Sequence, residues 1–251
     1  QNVRAHISAF ASLLRLYYKT ANDEYKNSTV GVYMAVLKKI CKLIEEDYLI
    51  RLPLSQLKPP KVRNNVIILD LETLSRIRSG SINDALMCQL CLQIETCSRV
   101  ESILKIKDYM FVKDEVGYRL DLMSEKDIEI QPRYVREDLW YAAKNYVSSG
   151  EWIRGYDVLL NRFREIINPD ATVNILVEQN GKYVPVNTHL KDAAGTHTLR
   201  KTGINLLRNK GVSDEDIRNN FSYHKSSANY SKYYVKYDKM TKKKYKDIFD
   251  Y

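Results

Sequence analysis

Residues 194–234 read AGTHTLRKTGINLLRNKGVSDEDIRNNFSYHKSSANYSKYY and carry a set of chemically active side chains at defined intervals. His197 and Arg200 are three residues apart at a predicted helix start, so their side chains project from one face. His224 follows after a further predicted helix, and Tyr233 lies nine residues beyond it. Each feature alone is common on protein surfaces, so only their joint order and spacing carry information.

The rest of the chain predicts an α+β fold that is mainly helical with a small antiparallel β-sheet. Apolar residues recur at helical spacing over residues 4–19 and 27–49. Asp70 and Ser81 are predicted to cap the next two helices, of which the second runs to Cys97. Alternation in YRLDL and IEI, joined by a polar turn, predicts an antiparallel hairpin or meander.

The second half of the chain returns to helical patterns, interrupted by one strand-like stretch. Helices are predicted over residues 133–147, 156–167 and 198–209, and Ser213 with Asp216 resembles a capping box for another helix. Asn180-Gly181 is typical of a two-residue turn, so residues 172–186 are predicted to form a β-hairpin.

Composition narrows the class of protein. The 251 residues include 40 Lys+Arg and 31 Asp+Glu, which gives a net charge of +9 and favours a polyanionic ligand, nucleic acid first. No apolar run approaches the roughly 20 residues of a membrane span, and no signal-peptide pattern is present. Three of the four cysteines lie in the apolar run MCQLCLQIETC, which predicts buried reduced thiols and not a zinc site. We therefore expect an intracellular, DNA-associated protein with no membrane partner.

A proline-rich segment, RLPLSQLKPPKVRNN at residues 51–65, stops both helix and sheet. It predicts a linker over residues 53–66. It would separate a small helical unit, residues 1–52, from a larger domain with a C-terminal tail, residues 67–251.

Taken together, these motifs resemble the tyrosine recombinases, the phage-integrase family. That family ends its catalytic domain with an H-x-x-R helix, a His or Trp, and a nucleophilic Tyr about nine residues later. It also has an Arg after an apolar helix, as in TCSRVESILKIKDYMF, and a Lys in a β-turn, as in LMSEKDIEIQ. Residues 28–61 look like its core-binding domain and linker. The resemblance implies a catalytic set of Arg99, Lys126, His197, Arg200, His224 and Tyr233.

The resemblance also implies a reaction that needs no metal and no cofactor. Tyr233 would attack a DNA phosphodiester and form a 3′-phosphotyrosyl bond, while His197 acts as base or orienting partner. Arg99 and Arg200 would neutralise the transition state. Lys126 would protonate the leaving 5′ oxygen, and His224 would donate a hydrogen bond to the phosphate.

The sequence departs from the family pattern at several positions. Ser102 stands three residues after Arg99, where the family has Glu or Asp, and Glu101 is expected to face elsewhere on its helix. Tyr223 replaces the Gly that usually precedes the second His. Tyr234 adjoins Tyr233, and spacing favours Tyr233 as the nucleophile.

Further basic residues are candidates for contacts to the phosphates of double-stranded DNA. They are Lys38, Lys39, Lys42, Lys58, Lys61, Arg63 and Lys201. The family resemblance implies a homo-tetramer on paired sites, with the C-terminal tail exchanged between protomers through Ile248, Phe249 and Tyr251.

Three functions are compatible with these observations. The first is a site-specific recombinase or integrase that serves integration or excision of a viral or mobile element. The second is a catalytically inactive DNA-binding architectural protein with the same fold. The third is a type IB topoisomerase or telomere resolvase, which shares the chemistry.

Overall fold

The computed structural model describes residues 27–48, 65–123, 130–179 and 182–222. Their helices are α1 (Asn27–Tyr48), α2 (Leu71–Gly80), α3 (Ala85–Thr96), α4 (Val100–Leu104), α5 (Glu137–Ser148), α6 (Tyr156–Ile166), α7 (Leu190–Ala193), α8 (Thr196–Asn209) and α9 (Asp214–Asp216). The strands are β1 (Phe111–Lys113), β2 (Tyr118–Met123), β3 (Ile130–Tyr134), β4 (Thr172–Gln179) and β5 (Lys182–His189). A 3₁₀ turn, Asp108–Met110, precedes β1, and a π-helical turn, Ile217–Ser222, follows α9. The predicted α+β class, mainly helical with small antiparallel sheet, is confirmed.

The chain divides into two compact units. The smaller unit contains α1 and part of the β4–β5 hairpin. The described residues of that part are 176–179 and 182–186. α1 spans nearly the predicted range and buries Val30, Met34 and Cys41 on one face. None of the described helices combines the length and apolar character that a membrane span needs. The predicted helix over residues 4–19 and the predicted linker as far as residue 64 lie outside the described residues.

The larger unit is built around α3, whose sequence ALMCQLCLQIET is apolar on nearly all sides. α3 packs against α8, α2, α5 and α6. Cys88, Cys91 and Cys97 are buried free thiols, as predicted. Burial raises the pKa of Cys88 and of Cys97 to about 12, so both remain protonated and unreactive near neutral pH.

The prediction of the N-cap residue is confirmed for α2 and is wrong for α3. Asp70 caps α2, because its carboxylate accepts a 3.0 Å hydrogen bond from the Thr73 amide. The prediction that Ser81 caps α3 is wrong. Ser81 ends α2 and donates to the Arg78 carbonyl, while Asp84 has the extended backbone of an N-cap and accepts from the Met87 amide at 2.8 Å.

The meander and the hairpin predicted from alternation are both present. β1, β2 and β3 form an antiparallel sheet in chain order, and β4 pairs with β5. The helix predicted from residue 133 begins instead at Glu137, because Arg133 belongs to β3 and pairs with Leu120 of β2. The turn between β2 and β3, which contains Lys126, lies outside the described residues.

Helix α8 starts two residues before its predicted start and ends at Asn209, as predicted. Gly203 lies where α8 crosses α3. A Cβ atom at this position would come within 2.0 Å of the Ile94 carbonyl oxygen, so only glycine permits the approach. Ser213 caps the next helical segment by accepting from the Asp216 amide, which is the first of the two bonds of the predicted capping box.

Candidate active site

The structure brings three of the predicted site residues to one place in the larger unit. Arg99 follows α3 and caps α4, while His197 and Arg200 lie in the first two turns of α8. The charges of Arg99 and Arg200 both act on the ring of His197. Lys126, His224 and Tyr233, which complete the predicted set, lie outside the described residues.

Arg99 is placed by a sharp reversal of the backbone. Cys97 ends α3 in the left-handed conformation, with φ of 50°, which a non-glycine residue adopts at some cost. The chain is extended again at Arg99, with φ −70° and ψ 150°, before α4 begins at Val100. The side chain of Arg99 makes no capping bond and is half-buried.

Three buried side chains hold the turn formed by residues 96–98, here called the 96–98 turn. Arg133 Nε donates to its first carbonyl at 3.2 Å, and Arg200 Nη1 donates to its second. Gln93 Nε2 approaches the third carbonyl at 3.5 Å. Because the donors come from β3, α8 and α3, the backbone that leads into Arg99 is fixed from three directions.

The N-terminus of α8 is held by the same glutamine. Gln93 Nε2 donates to the Thr196 carbonyl at 3.1 Å, so one buried amide contacts the residue before Arg99 and the residue before His197. The Thr196 hydroxyl in turn donates to the hydroxyl of Tyr156 at 3.2 Å. The backbones that carry Arg99 and His197 are thus tied to one side chain.

The environment of His197 favours its neutral form. His197 keeps part of its surface exposed, and desolvation by the surrounding protein is the main cause that lowers the pKa of its ring below the ordinary value. The positive charges of Arg200, Lys201 and Arg99 lower it further, and the negative charge of Glu101 opposes them. A neutral imidazole can accept a proton, which is what a general base requires.

Glu101 and Ser102 differ from their predicted roles. Glu101 was expected to face elsewhere, yet its charge acts on His197. Its Oε2 atom is buried and has no hydrogen-bond partner in the described part of the chain. Ser102 is buried, and its hydroxyl donates to the Met123 carbonyl at 2.9 Å. The carboxylate near His197 therefore comes from the position before the one that the family pattern indicates.

Two polar groups at the centre of the site have no hydrogen-bond partner among the described residues. Within residues 65–123, 130–179 and 182–222, neither the Arg99 guanidinium nor the His197 ring makes a hydrogen bond. Arginine donors that are half-buried usually find acceptors, so this pair is suited to an anionic ligand that supplies oxygen atoms.

The remaining predicted DNA contacts are spread over both units. Lys201 is half-buried, burial lowers its pKa, and its Nζ atom donates to the Asn65 carbonyl at 3.0 Å. On α1, Lys39 and Lys42 are exposed and Lys38 is half-buried. The Nζ atom of Lys42 lies 3.9 Å from the Oε1 atom of Glu46, one turn later on the same helix. Lys58, Lys61 and Arg63 lie outside the described residues.

Comparison with solved structures identifies the fold. The chain superposes on the Tn1549 transposon integrase in complex with transposon right end DNA with a TM-score of 0.61, at 12% identity, over 92% of this chain and 83% of that chain. The same integrase in complex with a circular intermediate DNA gives a TM-score of 0.60 at 12% identity over the same shares. The chain has the tyrosine-recombinase fold. The XerA recombinase is also similar, with a TM-score of 0.49, at 16% identity, over 94% of this chain and 81% of that chain. No protein-family model and no curated protein matches the sequence.

Sequence analysis missed the polar residues that build this site on the tyrosine-recombinase fold. Gln93 lies in the middle of an otherwise apolar helix, and a buried amide in such a run is a signal of a long-range hydrogen bond. Arg133 follows Pro132 in what the sequence presents as the start of a helix. A charged side chain is ordinary on the surface of a helix. Because a helix was predicted there, nothing marked Arg133 as a buried residue of β3.

Proposed function

We propose that the protein is a site-specific DNA recombinase that cuts and rejoins duplex DNA through a 3′-phosphotyrosyl intermediate. It would serve the integration or excision of a viral or mobile element. The observation that carries the proposal is the adjacent pair of Arg99 and His197, which lack protein partners in the described residues and lie beside Arg200. The recombinase fold supports it, since similar structures were solved in complex with DNA.

The charge of the site suits a phosphodiester. Attack on phosphorus gathers negative charge on the two nonbridging oxygens, and two guanidinium groups can neutralise it with paired donors. Arg99 and Arg200 would do so, and both stay charged at any working pH. The buried donors around the 96–98 turn would keep these groups fixed, so little reorganisation is needed during the reaction.

The proposed reaction balances without an external oxidant or energy source. The Tyr233 oxygen would attack phosphorus and lose its proton to His197, while the bond from phosphorus to the 5′ oxygen breaks. Lys126 would give a proton to that oxygen, so a neutral 5′-hydroxyl leaves. His224 would donate a hydrogen bond to the phosphate. Attack of a 5′-hydroxyl on the phosphotyrosyl bond would reverse the step and join strands.

The organisation of the complex is part of the proposal. Residues 1–52 would form a helical DNA-binding domain, joined by the linker at 53–66 to the catalytic domain at 67–251. The two domains would hold double-stranded DNA, with Lys39 and Lys42 of α1 among the phosphate contacts. Four copies would assemble on two sites and exchange their C-terminal tails.

A covalent trapping experiment tests this function. The full chain is incubated with nicked duplexes whose sequence is randomised around the nick, and DNA that survives a denaturing wash with the protein is sequenced. The nick lets the short 3′ fragment leave, which traps the tyrosyl adduct. We expect an adduct with enriched sequences, none in Tyr233→Phe, and an unchanged amount in the matched control Tyr234→Phe.

Other outcomes would identify the alternatives. Salt-sensitive DNA binding without any adduct would indicate an architectural protein. Relaxation of supercoiled plasmid by the monomer, without site preference, would indicate a topoisomerase. An adduct that persists in Tyr233→Phe and is lost in Tyr234→Phe would move the nucleophile by one residue.

A further inference from the structure

Arg133 is a charged residue inside the larger unit. It lies in β3 opposite Leu120 and is 4% exposed. A buried guanidinium is costly unless acceptors surround it, so its contacts define what it is there to do. The reaction proposed above assigns it no role.

The guanidinium of Arg133 contacts two segments that are far apart in the chain. Its Nε atom donates to the Thr96 carbonyl at 3.2 Å, and its Nη2 atom donates to the Phe221 carbonyl at 2.9 Å. These acceptors are 37 and 88 residues away from Arg133 in sequence. Thr96 lies three residues before Arg99, and Phe221 lies three residues before His224.

Its Nη1 atom is anchored on its own strand, where it donates to the Pro132 carbonyl at 3.0 Å. The guanidinium is planar and rigid, so its nitrogen atoms keep fixed relative positions. A shift of either bound segment therefore strains the bond to the other. Arg133 joins β3, the 96–98 turn and the π-helical turn Ile217–Ser222 through a single group.

We infer that Arg133 is a positioning residue of the proposed recombinase, which sets the turn before Arg99 against the segment that leads to His224. The inference rests on the proposed function, because it assigns both segments a part in binding one phosphate. Arg133 would act through the backbone of its neighbours, because its guanidinium binds the 96–98 turn and Phe221 through their main-chain carbonyls. A displacement of about 1 Å in such a constellation can cost about 10²-fold in rate.

The physical link is tested first, without DNA. Hydrogen–deuterium exchange is measured on the full chain for peptides that cover residues 94–99 and 217–222. We expect Arg133→Met to accelerate exchange in both peptides, and Arg133→Lys to do so less, because a lysine keeps the charge but lacks the fork. Arg154→Met is the matched control, since Arg154 also donates to two backbone carbonyls, those of Leu104 and Ile106.

The catalytic consequence is tested with the trapped adduct at saturating DNA. We expect Arg133→Met to lower the rate of adduct formation by about 10- to 100-fold. The affinity for DNA should stay within about twofold, because a positioning residue makes no phosphate contact. The double variant Arg133→Met with His224→Ala should lose less than the product of the single losses, since both changes affect one phosphate contact.

These measurements separate the possible failures. Faster exchange in only one peptide, or in neither, overturns the link that Arg133 is inferred to make. A parental rate of adduct formation in a folded Arg133→Met or Arg133→Lys variant overturns its positioning role. Absence of an adduct in the parent chain overturns the proposed function, while the exchange data still test the link. If Arg133→Met fails to fold, Arg133→Lys provides both measurements.

Discussion

The hydroxyl of Ser102 donates a 2.9 Å hydrogen bond to the backbone carbonyl of Met123. Ser102 lies on α4, three residues after Arg99, and Met123 is the last residue of β2. The bond therefore joins the helix that Arg99 caps to the strand that leads into the turn of Lys126. A side chain that departs from the family pattern thus connects two segments of the proposed site.

Removal of this bond should affect both stability and reaction rate. Ser102→Ala removes a hydrogen bond to a partly buried carbonyl, which should lower the free energy of unfolding by about 0.5–1.5 kcal/mol. Ser79→Ala, which changes an exposed serine of α2, should stay within about 0.5 kcal/mol. Denaturant unfolding of the two variants measures the difference.

The same variant tests whether Ser102 acts through Lys126. A DNA substrate with sulfur in place of the bridging 5′ oxygen releases a thiolate, which leaves without a proton. We expect Ser102→Ala to slow adduct formation on the oxygen substrate and to approach the parental rate on the sulfur substrate. An equal loss on both substrates would contradict an effect on the general acid.

The pKa of His197 should respond in opposite directions to its two kinds of neighbours. Glu101→Gln removes a negative charge and should lower the pKa of His197, while Lys201→Gln removes a positive charge and should raise it. Titration of the ring by NMR measures each shift, with His197→Gln to assign the signal. Shifts of equal sign in the two variants would show that charge is not the cause.

The lowered pKa of His197 also has a consequence for stability. Because the folded ring binds its proton less readily than the unfolded chain, its contribution is fully present above the unfolded pKa of about 6.5. The contribution is lost as pH falls below that value towards the folded pKa. His197→Gln should therefore flatten the decline in stability over this acidic range, as measured by thermal unfolding.

Gly203 should be the least replaceable glycine of the larger unit. In Gly203→Ala the added methyl group meets the Ile94 carbonyl oxygen, so α3 and α8 must separate. Overpacking of this kind costs about 1–3 kcal/mol or more. Gly195→Ala is the control, because a Cβ atom there meets nothing within 4 Å, and it should cost about 1 kcal/mol or less. Equal losses would contradict the close approach of the two helices.

Loss of Arg136 alone should lower stability far more than loss of both partners of its ion pair with Glu95. Arg136 Nε lies 2.9 Å from Glu95 Oε1, and the Glu95 side chain is only 2% exposed. Arg136→Met leaves that carboxylate buried and uncompensated, which should cost about 3–5 kcal/mol.

Addition of Glu95→Gln to Arg136→Met should recover much of the loss at neutral pH. Glu72→Gln, which alters the exposed pair with Arg76, should change stability by less than about 1 kcal/mol. A large loss in this control, or no recovery in the double variant, would contradict the assignment of the cost to a buried charge.

Sequence patterns predicted the elements whose signals are local. The Asp70 cap, the β1–β2–β3 meander, the hairpin of β4 and β5, and the end of α8 near Gly211 all depend on residues close together in the chain. The family resemblance named Arg99, His197 and Arg200 together, and in the structure the charges of the two arginines act on the His197 ring.

The predictions that failed involve choices that tertiary contacts decide. Ser81 and Asp84 are both good N-cap residues, and local sequence does not tell which one the backbone will present. Residues 133–136 continue smoothly into a helical pattern. These residues do not join the helix, because Arg133 pairs with β2 as part of β3. β3 is an edge strand of its sheet, and an edge strand tolerates Pro132.

The bonds that hold the 96–98 turn have a consequence for variation among relatives of this protein. Their acceptors are main-chain carbonyls, which every amino acid possesses, whereas only the donors Arg133, Arg200 and Gln93 must keep their identity. The side chains at the acceptor positions take no part in these particular contacts. Substitutions at the acceptor positions that keep the backbone conformation would therefore leave the geometry around Arg99 in place.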